Sequence, residues 1–372
     1  MLNKIMFFLP TLGGGGAERT VIQLANSFAE QGYNIHLAVC DLTAAKGKLL
    51  PEVNPKIELI NFNCGRVMNG ITPLKLRMQT EQYDYLVATQ THTNIVAGIA
   101  KKLSGVNTRL IFREVSTPSK NIKRQGIAKF VLKSLVNWTY PMAQQVVCVS
   151  KGVEADFRDY YGYKKHNLTT IYNPVLDVSY FEKLTAPVAH KFFNETNKVI
   201  LAVGRLTEAK NFGFLIRSFK ALYDQHPDTR LIILGEGELR TEFEALIAEL
   251  SLTEVVDLPG FDSNPYAYFK YVSLFVLSSN WEGLPGVLIQ ALASKVKVVS
   301  TNCPSGPMEI LDDAKFGLLV ECNDQAGLTQ AMHQAIFADY VKFSHVDFEA
   351  HIQQFHKQTV LKQYLRIMES TS

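Results

Sequence analysis

Short apolar runs rich in β-branched and aromatic residues alternate with longer segments of helical spacing, and this alternation starts twice along the chain. In the first half the strand-like runs are 5–9, 35–39, 57–60, 85–88, 110–112 and 146–149. One intervening segment, 17–31, puts Val21, Leu24, Ala25 and Phe28 on one face and stops at Gly32. After residue 190 strands are expected at 198–203, 230–234, 255–258, 274–277 and 296–300. Helices are expected at 212–225, 239–250, 285–293 and 325–337. Strand and helix in strict turn imply parallel sheets covered by helices, that is, an α/β fold with two Rossmann-like domains. With 372 residues the chain is long enough for both. The domains are read as 1–180 and 190–345. The segment 172–193, with two prolines and weak periodicity, is the expected linker, and 348–368 has a helical pattern. Open parallel sheets take ligands beyond the carboxyl ends of their strands, so two such sheets facing each other would enclose a cleft.

The cysteines Cys40, Cys64, Cys148, Cys303 and Cys322 are odd in number, scattered and without a C-x-x-C pair. That favours a reducing compartment over a disulfide framework or structural zinc. The apolar start is interrupted at Gly13–Glu18, so no secretory leader is expected, and no apolar run approaches the roughly 20 residues of a membrane span. A cytoplasmic location, or one peripheral to the inner face of the cytoplasmic membrane, follows as the expectation. The net charge of +3 hides an asymmetry. Residues 1–186 hold 22 Lys/Arg against 13 Asp/Glu, and the rest hold 16 against 22. Within 101–133 nine basic residues face one acid, Glu114. This stretch is either a solvated basic face or a surface drawn to anionic lipid or a diphosphate-bearing acceptor. No aromatic-basic motif or nucleic-acid module accompanies it.

Four loops carry candidate chemistry. Leu12-Gly-Gly-Gly-Gly-Ala-Glu-Arg19 stands between the first strand and the first helix. It is either a flexible turn or a cradle in which Gly14, Gly15 and Gly16 let backbone and helix N-terminus approach a phosphate or sugar. Its spacing fits neither G-x-G-x-x-G nor a P-loop. Gly204-Arg-Leu-Thr-Glu-Ala-Lys-Asn211 opens the next such helix, and Arg205 with Lys210 could clamp a diphosphate or be two solvated cations. Asn280-Trp-Glu-Gly-Leu-Pro-Gly-Val-Leu-Ile-Gln-Ala291 sets Glu282 just ahead of a helix that Pro285 is expected to begin, with Gln290 more than a turn inside. Glu282 could accept from sugar hydroxyls or cap the helix. Thr301–Ile310 is a loop shaped by two prolines and a glycine, and Cys303 has no histidine near it in sequence to make it a nucleophile. No H-E-x-x-H, G-x-S-x-G or D-x-D occurs.

Taken in order, Gly15–Arg19, Val149–Val153, Asn173-Pro174, Gly204–Asn211, Leu234–Gly237 and Glu282–Leu292 resemble family 4 of the retaining glycosyltransferases, which have the GT-B fold. The resemblance covers nearly the whole chain. It implies that Gly14, Gly15, Gly16 and Gly204 face the donor, and that Arg205 and Lys210 hold its diphosphate. Gly260 and Phe261 would cradle the base, and Glu282 would contact the donor sugar as part of an E-x7-E motif. Glu236, Gly283, Leu284 and Pro285 would complete the donor pocket. The second motif carboxylate is here Gln290, which still accepts from ribose hydroxyls but without charge. Where the family often has a histidine, this chain reads Phe112-Arg113-Glu114, so Glu114 and Glu18 are the acceptor-side candidates. The Cys-Pro-Ser-Gly-Pro loop is similar to that of relatives building lipid-linked glycans, lipopolysaccharide or capsule. The final helix, 348–372, is expected to cross back to the first domain.

The resemblance thus implies a metal-independent hexosyltransferase with a nucleoside-diphosphate sugar, UDP foremost, as donor. Its acceptor would be a hydroxyl of a lipid-linked or cell-surface glycan. The alternatives are a non-catalytic sugar-nucleotide-binding subunit of a glycan assembly complex, or a sugar-nucleotide epimerase.

Overall fold

The computed structural model describes residues 3–43, 47–121, 126–338, 340 and 344–370. The chain divides into two units, Met1–Pro174 with Phe355–Ser372, and Val175–Gln354. The first is built on a seven-stranded sheet of β1 (Lys4–Leu9), β2 (Asn34–Val39), β3 (Glu58–Asn61), β4 (Tyr85–Thr89), β5 (Arg109–Glu114), β6 (Gln145–Cys148) and β7 (Leu168–Thr170). Its helices are α1 (Gly16–Glu30), α2 (Ile71–Glu81), α3 (Thr91–Ser104), α4 (Pro118–Asn121), α5 (Gly126–Thr139) and α6 (Lys151–Tyr161). Every strand pairing is parallel, in the order β3-β2-β1-β4-β5-β6-β7. Helices on both faces bury all of β1 but Lys4. Ile5, Met6, Phe7, Phe8 and Leu9 all lie in the core, which is why that strand reads as a continuous apolar run rather than an alternating one.

The second unit repeats the plan with β8 (Lys198–Val203), β9 (Thr229–Leu234), β10 (Val256–Gly260), β11 (Leu274–Leu277), β12 (Val298–Thr301) and β13 (Leu318–Val320). They pair in parallel in the order β10-β9-β8-β11-β12-β13. Helices α7 (Val178–Leu184), α8 (Phe212–Tyr223), α9 (Arg240–Glu249), α10 (Gly286–Ala293), α11 (Pro307–Ile310), α12 (Gln325–Phe337) and α13 (His345–Ile352) complete it. Aromatic and branched side chains of α8, α9 and α12 close over β8, β9 and β11. In both sheets the strand order reverses beside the first strand, at β1/β4 and at β8/β11. The loops leaving β1 and β8 therefore start at the switch points where this architecture places ligands.

Three expectations need correction. β7 and β13 escape the periodicity, because a three-residue edge strand shows no pattern; each exists through its pairing, with β6 and β12 respectively. The expected linker contains α7. Asp177 caps it by accepting from the Tyr180 amide at 2.9 Å, and the buried Tyr180 hydroxyl donates to the Gln290 carbonyl at 2.6 Å. The terminal pattern is two helices rather than one. α13 stays with the second unit, where Phe348 meets Phe316 (rings 5.6 Å apart) and His351 lies 2.8 Å from the Ile310 carbonyl. A single-turn 3-10 segment at Gln353–Phe355 separates it from α14 (Lys357–Glu369), which belongs to the first unit.

The packing of α14 answers a problem posed by β5. Arg113 is fully buried. Its Nε donates to the Tyr364 hydroxyl at 2.7 Å, Nη2 to Asn173 Oδ1 at 3.0 Å and Nη1 to Thr89 Oγ1 at 3.5 Å. A buried cation left with an unmade donor is expensive. Tyr364→Phe should therefore cost about 1–3 kcal/mol and lower the midpoint of thermal unfolding by roughly 3–8 °C. An unchanged midpoint would show that the phenol is not what satisfies Arg113.

Candidate active site

The second unit's loops form a platform at the carboxyl edge of its sheet, held together backbone to backbone. The Leu206 amide donates to the Glu236 carbonyl at 2.9 Å, and the Leu239 amide to the Leu206 carbonyl at 3.1 Å. The approach is so close that only glycine fits. A Cβ on Gly235 would lie 1.8 Å from the Gly204 carbonyl oxygen, and one on Gly237 would lie 2.3 Å from that of Leu206. The loop after β11 joins from the other side: Asn280 donates its amide to the Ala209 carbonyl at 2.8 Å, and the Ser278 hydroxyl donates to that of Lys210 at 2.8 Å. The loop after β12 is fastened in turn. Thr301 Oγ1 donates to the Ser279 carbonyl at 2.6 Å and Ser305 Oγ to that of Gly283 at 2.7 Å, while a Cβ on Gly306 would meet Pro285 Cδ at 2.5 Å. Four of the sequence motifs thus become one surface.

On that surface Lys210 Nζ and Glu282 Oε1 form an ion pair at 2.5 Å, with both side chains mostly buried. Ser279 Oγ donates to the same carboxylate oxygen at 2.6 Å. The lysine stem runs over Gly204, where a Cβ would come within 3.0 Å of Lys210 Cε. Arg205 is exposed, and no described residue pairs with its guanidinium. Glu236 accepts from Arg240 Nη1 at 2.9 Å, and its carboxylate lies over Gly260, whose φ of +97° and missing side chain make room for it. Phe261 follows with its ring largely exposed. Gly283, Leu284 and Pro285 are buried under the platform. Pro285 is the residue before α10 rather than its first member, with extended ψ of 98°, so the helix begins at Gly286. The Gln290 side chain stays half-buried, and its backbone carbonyl accepts from the Tyr180 hydroxyl and from the Ser294 amide. Burial, then the charge of Glu282, push the Cys303 thiol well up, so it is a packed sulfhydryl and not a nucleophile.

The first unit's glycine loop is ordered by its own carboxylate. Glu18 Oε2 accepts from the Gly15 amide at 2.7 Å, and Oε1 accepts from Thr11 Oγ1 at 2.5 Å. This is the third helical residue reaching back to the residue before the helix, the returning half of a capping box. Gly14, at φ +106°, makes the turn that only glycine takes easily, and Gly16 starts α1 with open space around it. Glu18, an acceptor-side candidate, uses both oxygens to shape the loop. Glu114, the other candidate, departs from that expectation. It is sealed inside, accepting from Thr91 Oγ1 at 3.0 Å, from Asn94 Nδ2 at 2.8 Å and from the Tyr140 hydroxyl. The reason is the strand's two-residue period: Arg113 and Glu114 end β5 on opposite faces, and each meets a helix. Tyr140 and Tyr364, which complete these clusters, carried no local signal. The polar run Ser278-Ser279-Asn280 after an apolar strand did, and all three of its members lock the platform.

Comparison with known proteins agrees with this architecture. Residues 14–176 match the model described as Glycosyltransferase Family 4, and residues 188–339 that described as Glycosyl transferases group 1. Over 352 residues the chain is 32% identical to the Campylobacter jejuni N-acetylgalactosamine-N,N'-diacetylbacillosaminyl-diphospho-undecaprenol 4-alpha-N-acetylgalactosaminyltransferase, covering 92% of each. It is 26% identical over 338 residues to a second C. jejuni enzyme, an alpha-1,4-N-acetyl-D-galactosaminyltransferase acting on a diNAcBac-PP-undecaprenol-linked saccharide, covering 89% of this chain and 88% of that one. Among solved structures, Anabaena HepE in complex with UDP-glucose superposes with a TM-score of 0.79 at 18% identity, over 99% of this chain and 100% of that one. The fold and the paired parallel sheets define a GT-B protein. The chain belongs to the family 4 glycosyltransferases and is an enzyme of that class.

Burial raises the Glu114 carboxyl to about 7, against the opposing hydrogen bonds from Tyr140, Thr91 and Asn94. The folded state therefore holds this proton more tightly than the unfolded chain. Below the ordinary value of 4.5 both states are protonated and nothing is lost; as pH rises from there to about 7, stability falls. Above that the full penalty, on the order of a few kcal/mol, is present. Glu114→Gln should gain on the wild type in thermal midpoint as pH goes from about 5 to about 8. A gap between the two proteins that does not change with pH would refute the buried-carboxyl assignment.

Proposed function

We propose that this enzyme transfers a sugar, with retention, from a nucleoside-diphosphate sugar to a hydroxyl of a lipid-linked or cell-surface glycan. The observation that carries the reading is the fused loop platform at the second sheet's switch point, with Arg205 free at its surface and Lys210 set beside Glu282. An ammonium has three donors, and Glu282 takes one. The others, with the Arg205 guanidinium, suit the oxygens of a departing diphosphate, and in this reading they stabilise it without a metal. Glu282, anchored by Lys210 and Ser279, is oriented to accept from a sugar hydroxyl and is not the nucleophile of a double displacement. A front-face reaction follows. The bond from the anomeric carbon to the phosphate oxygen breaks, the acceptor oxygen bonds to the same face, and its proton passes to the leaving phosphate oxygen. Gly260 and Phe261 would receive the base, Gln290 the ribose, and the Gly14–Gly16 loop the donor phosphates and acceptor. The UDP complexes of HepE support a uridine donor. The two C. jejuni relatives, named for diphospho-undecaprenol acceptors and N-acetylgalactosamine transfer, support the acceptor class and make UDP-N-acetylgalactosamine the first donor to assay.

Two variants test the donor site. Arg205→Ala should lower kcat/KM for donor by about 100-fold or more, as expected when a charge aimed at the leaving group is removed. Near-normal turnover would exclude the clamp. Gln290→Glu should lower the donor KM by up to about tenfold, because a carboxylate makes charge-assisted bonds to both ribose hydroxyls. An unchanged or raised KM would remove position 290 from the ribose site.

A further inference from the structure

At the amino edge of the first unit's sheet, opposite the Gly14–Gly16 loop, lies a cavity of about 600 Å³. It opens where β5, β6 and β7 begin, beside the last turn of α3. Lys101, Arg109, Lys165 and His166 line it from three separate segments, and no Asp or Glu does. Asp84 and Glu369 act on Tyr85 from outside the lining, and Asp84 Oδ2 accepts from the Lys4 amide at 2.7 Å. Arg109 lays its guanidinium over the Tyr85 ring, 4.1 Å from its centre, and directs Nη1 to the Met368 carbonyl at 3.4 Å. Most of its five N–H groups are left over. Lys165 is exposed, and no described residue pairs with its ammonium. Lys101 is half-buried and donates to the Val106 carbonyl; burial holds its ammonium below its ordinary value, a shift that an adjacent anion would reverse. Two neutral groups of the lining are unmatched. Thr108 is only 3% exposed, and its hydroxyl has no partner among the described residues. Gln144 Nε2 donates to the Ile367 and Ser370 carbonyls at 2.7 and 2.9 Å. Carbonyls only accept, so this amide cannot be turned over, and its Oε1 stays buried with no described donor. Buried polar groups are nearly always satisfied, so two unmatched ones in one basic cavity call for a ligand.

We propose that this cavity is a second ligand site, for a small soluble phosphate ester of a polyol, of sugar-phosphate or nucleotide size. The phosphate lies among Lys101, Arg109 and Lys165 and accepts from the Thr108 hydroxyl, and a hydroxyl of the ligand donates to Gln144 Oε1. The volume falls within the range of small-molecule sites. Inorganic phosphate would answer the cations but is too small to reach the amide as well. The sugar transfer proposed above makes no call on this edge, because open parallel sheets take their substrates at the carboxyl ends of the strands. Arg109 and Gln144 also hold the last turn of α14, so an occupant would fasten the end of that helix.

The test is calorimetric titration of the full chain with glucose 1-phosphate and, separately, with inorganic phosphate. Glucose 1-phosphate should bind with a Kd below about 1 mM, at least about tenfold more tightly than inorganic phosphate. Thr108→Val keeps the outline of the side chain and removes the hydroxyl. Because that hydroxyl is unmatched in the free protein, the variant should hold or raise the thermal midpoint, yet bind glucose 1-phosphate about tenfold more weakly. Lys165→Ser, altered at an exposed position, should keep the midpoint and weaken binding by about the same factor. Arg205→Ala should bind glucose 1-phosphate as the wild type does. Absence of binding, equal affinity for inorganic phosphate, wild-type affinity in both Thr108→Val and Lys165→Ser, or loss of binding in Arg205→Ala would each overturn the proposal. So would a Thr108→Val midpoint well below that of the wild type, since the hydroxyl would then be bonded within the protein. None of these measurements requires sugar transfer, so a failed transferase assay would count against the function proposed above and leave the titration intact.

Discussion

The donor platform depends on backbone lying directly against backbone. Where the loops leaving β8 and β9 meet, the carbonyls of Gly204 and Leu206 occupy the space that side chains on Gly235 and Gly237 would need. That approach lets the amide of Leu206 reach the Glu236 carbonyl and lets Lys210 lie flat over Gly204. The remaining geometry follows in sequence. Lys210 so placed meets Glu282, Glu282 is held by Ser279, and the Ser279 carbonyl is bound by Thr301 from the next strand. A loop that would be mobile on its own is thus one course in a wall of loops, and the ordering entropy of its charged side chains is met by folding rather than at each binding event.

The two units use the same sheet logic for different ends. In the second, the switch-point loop carries cations and keeps one of them solvent-facing. In the first, the loop is nearly bare glycine, and its one acid, Glu18, is spent on holding the turn. The buried charges of the first unit, Arg113 and Glu114, sit behind that edge on opposite faces of β5 and are matched almost wholly by neutral partners. Such matching is costly to assemble, and it specifies the position of α3 and α14 more narrowly than apolar packing would.

Much of this was legible in the residues. The long buried strands announce themselves by continuous apolar runs, and the glycine-rich, Arg-Lys and Glu-Gly-Leu-Pro segments fall at strand ends because strand-loop-helix order puts them there. What stayed hidden has a common physical cause. The edge strands β7 and β13 are too short to have a period. α7 begins at an Asp cap inside a stretch whose prolines read as linker. The partners of Arg113 and Glu114 come from 20 to 251 residues of separation among helices and loops, where no local pattern reports them. Glu114 was misplaced on the acceptor side for the same reason: a carboxylate near a ligand edge looks alike in sequence whether it faces solvent or closes a core.

The return of α14 to the first unit bears on how the protein is made. On the ribosome the first sheet can form early, but the phenol that receives Arg113 and the carbonyls that receive Gln144 are translated only after the whole second unit. Until they emerge, a buried guanidinium stands one partner short, and the cleft over β1 that α14 fills is open apolar surface. The first unit is therefore completed only once the second has been made, and through that interval the nascent chain carries an unfinished domain in need of protection.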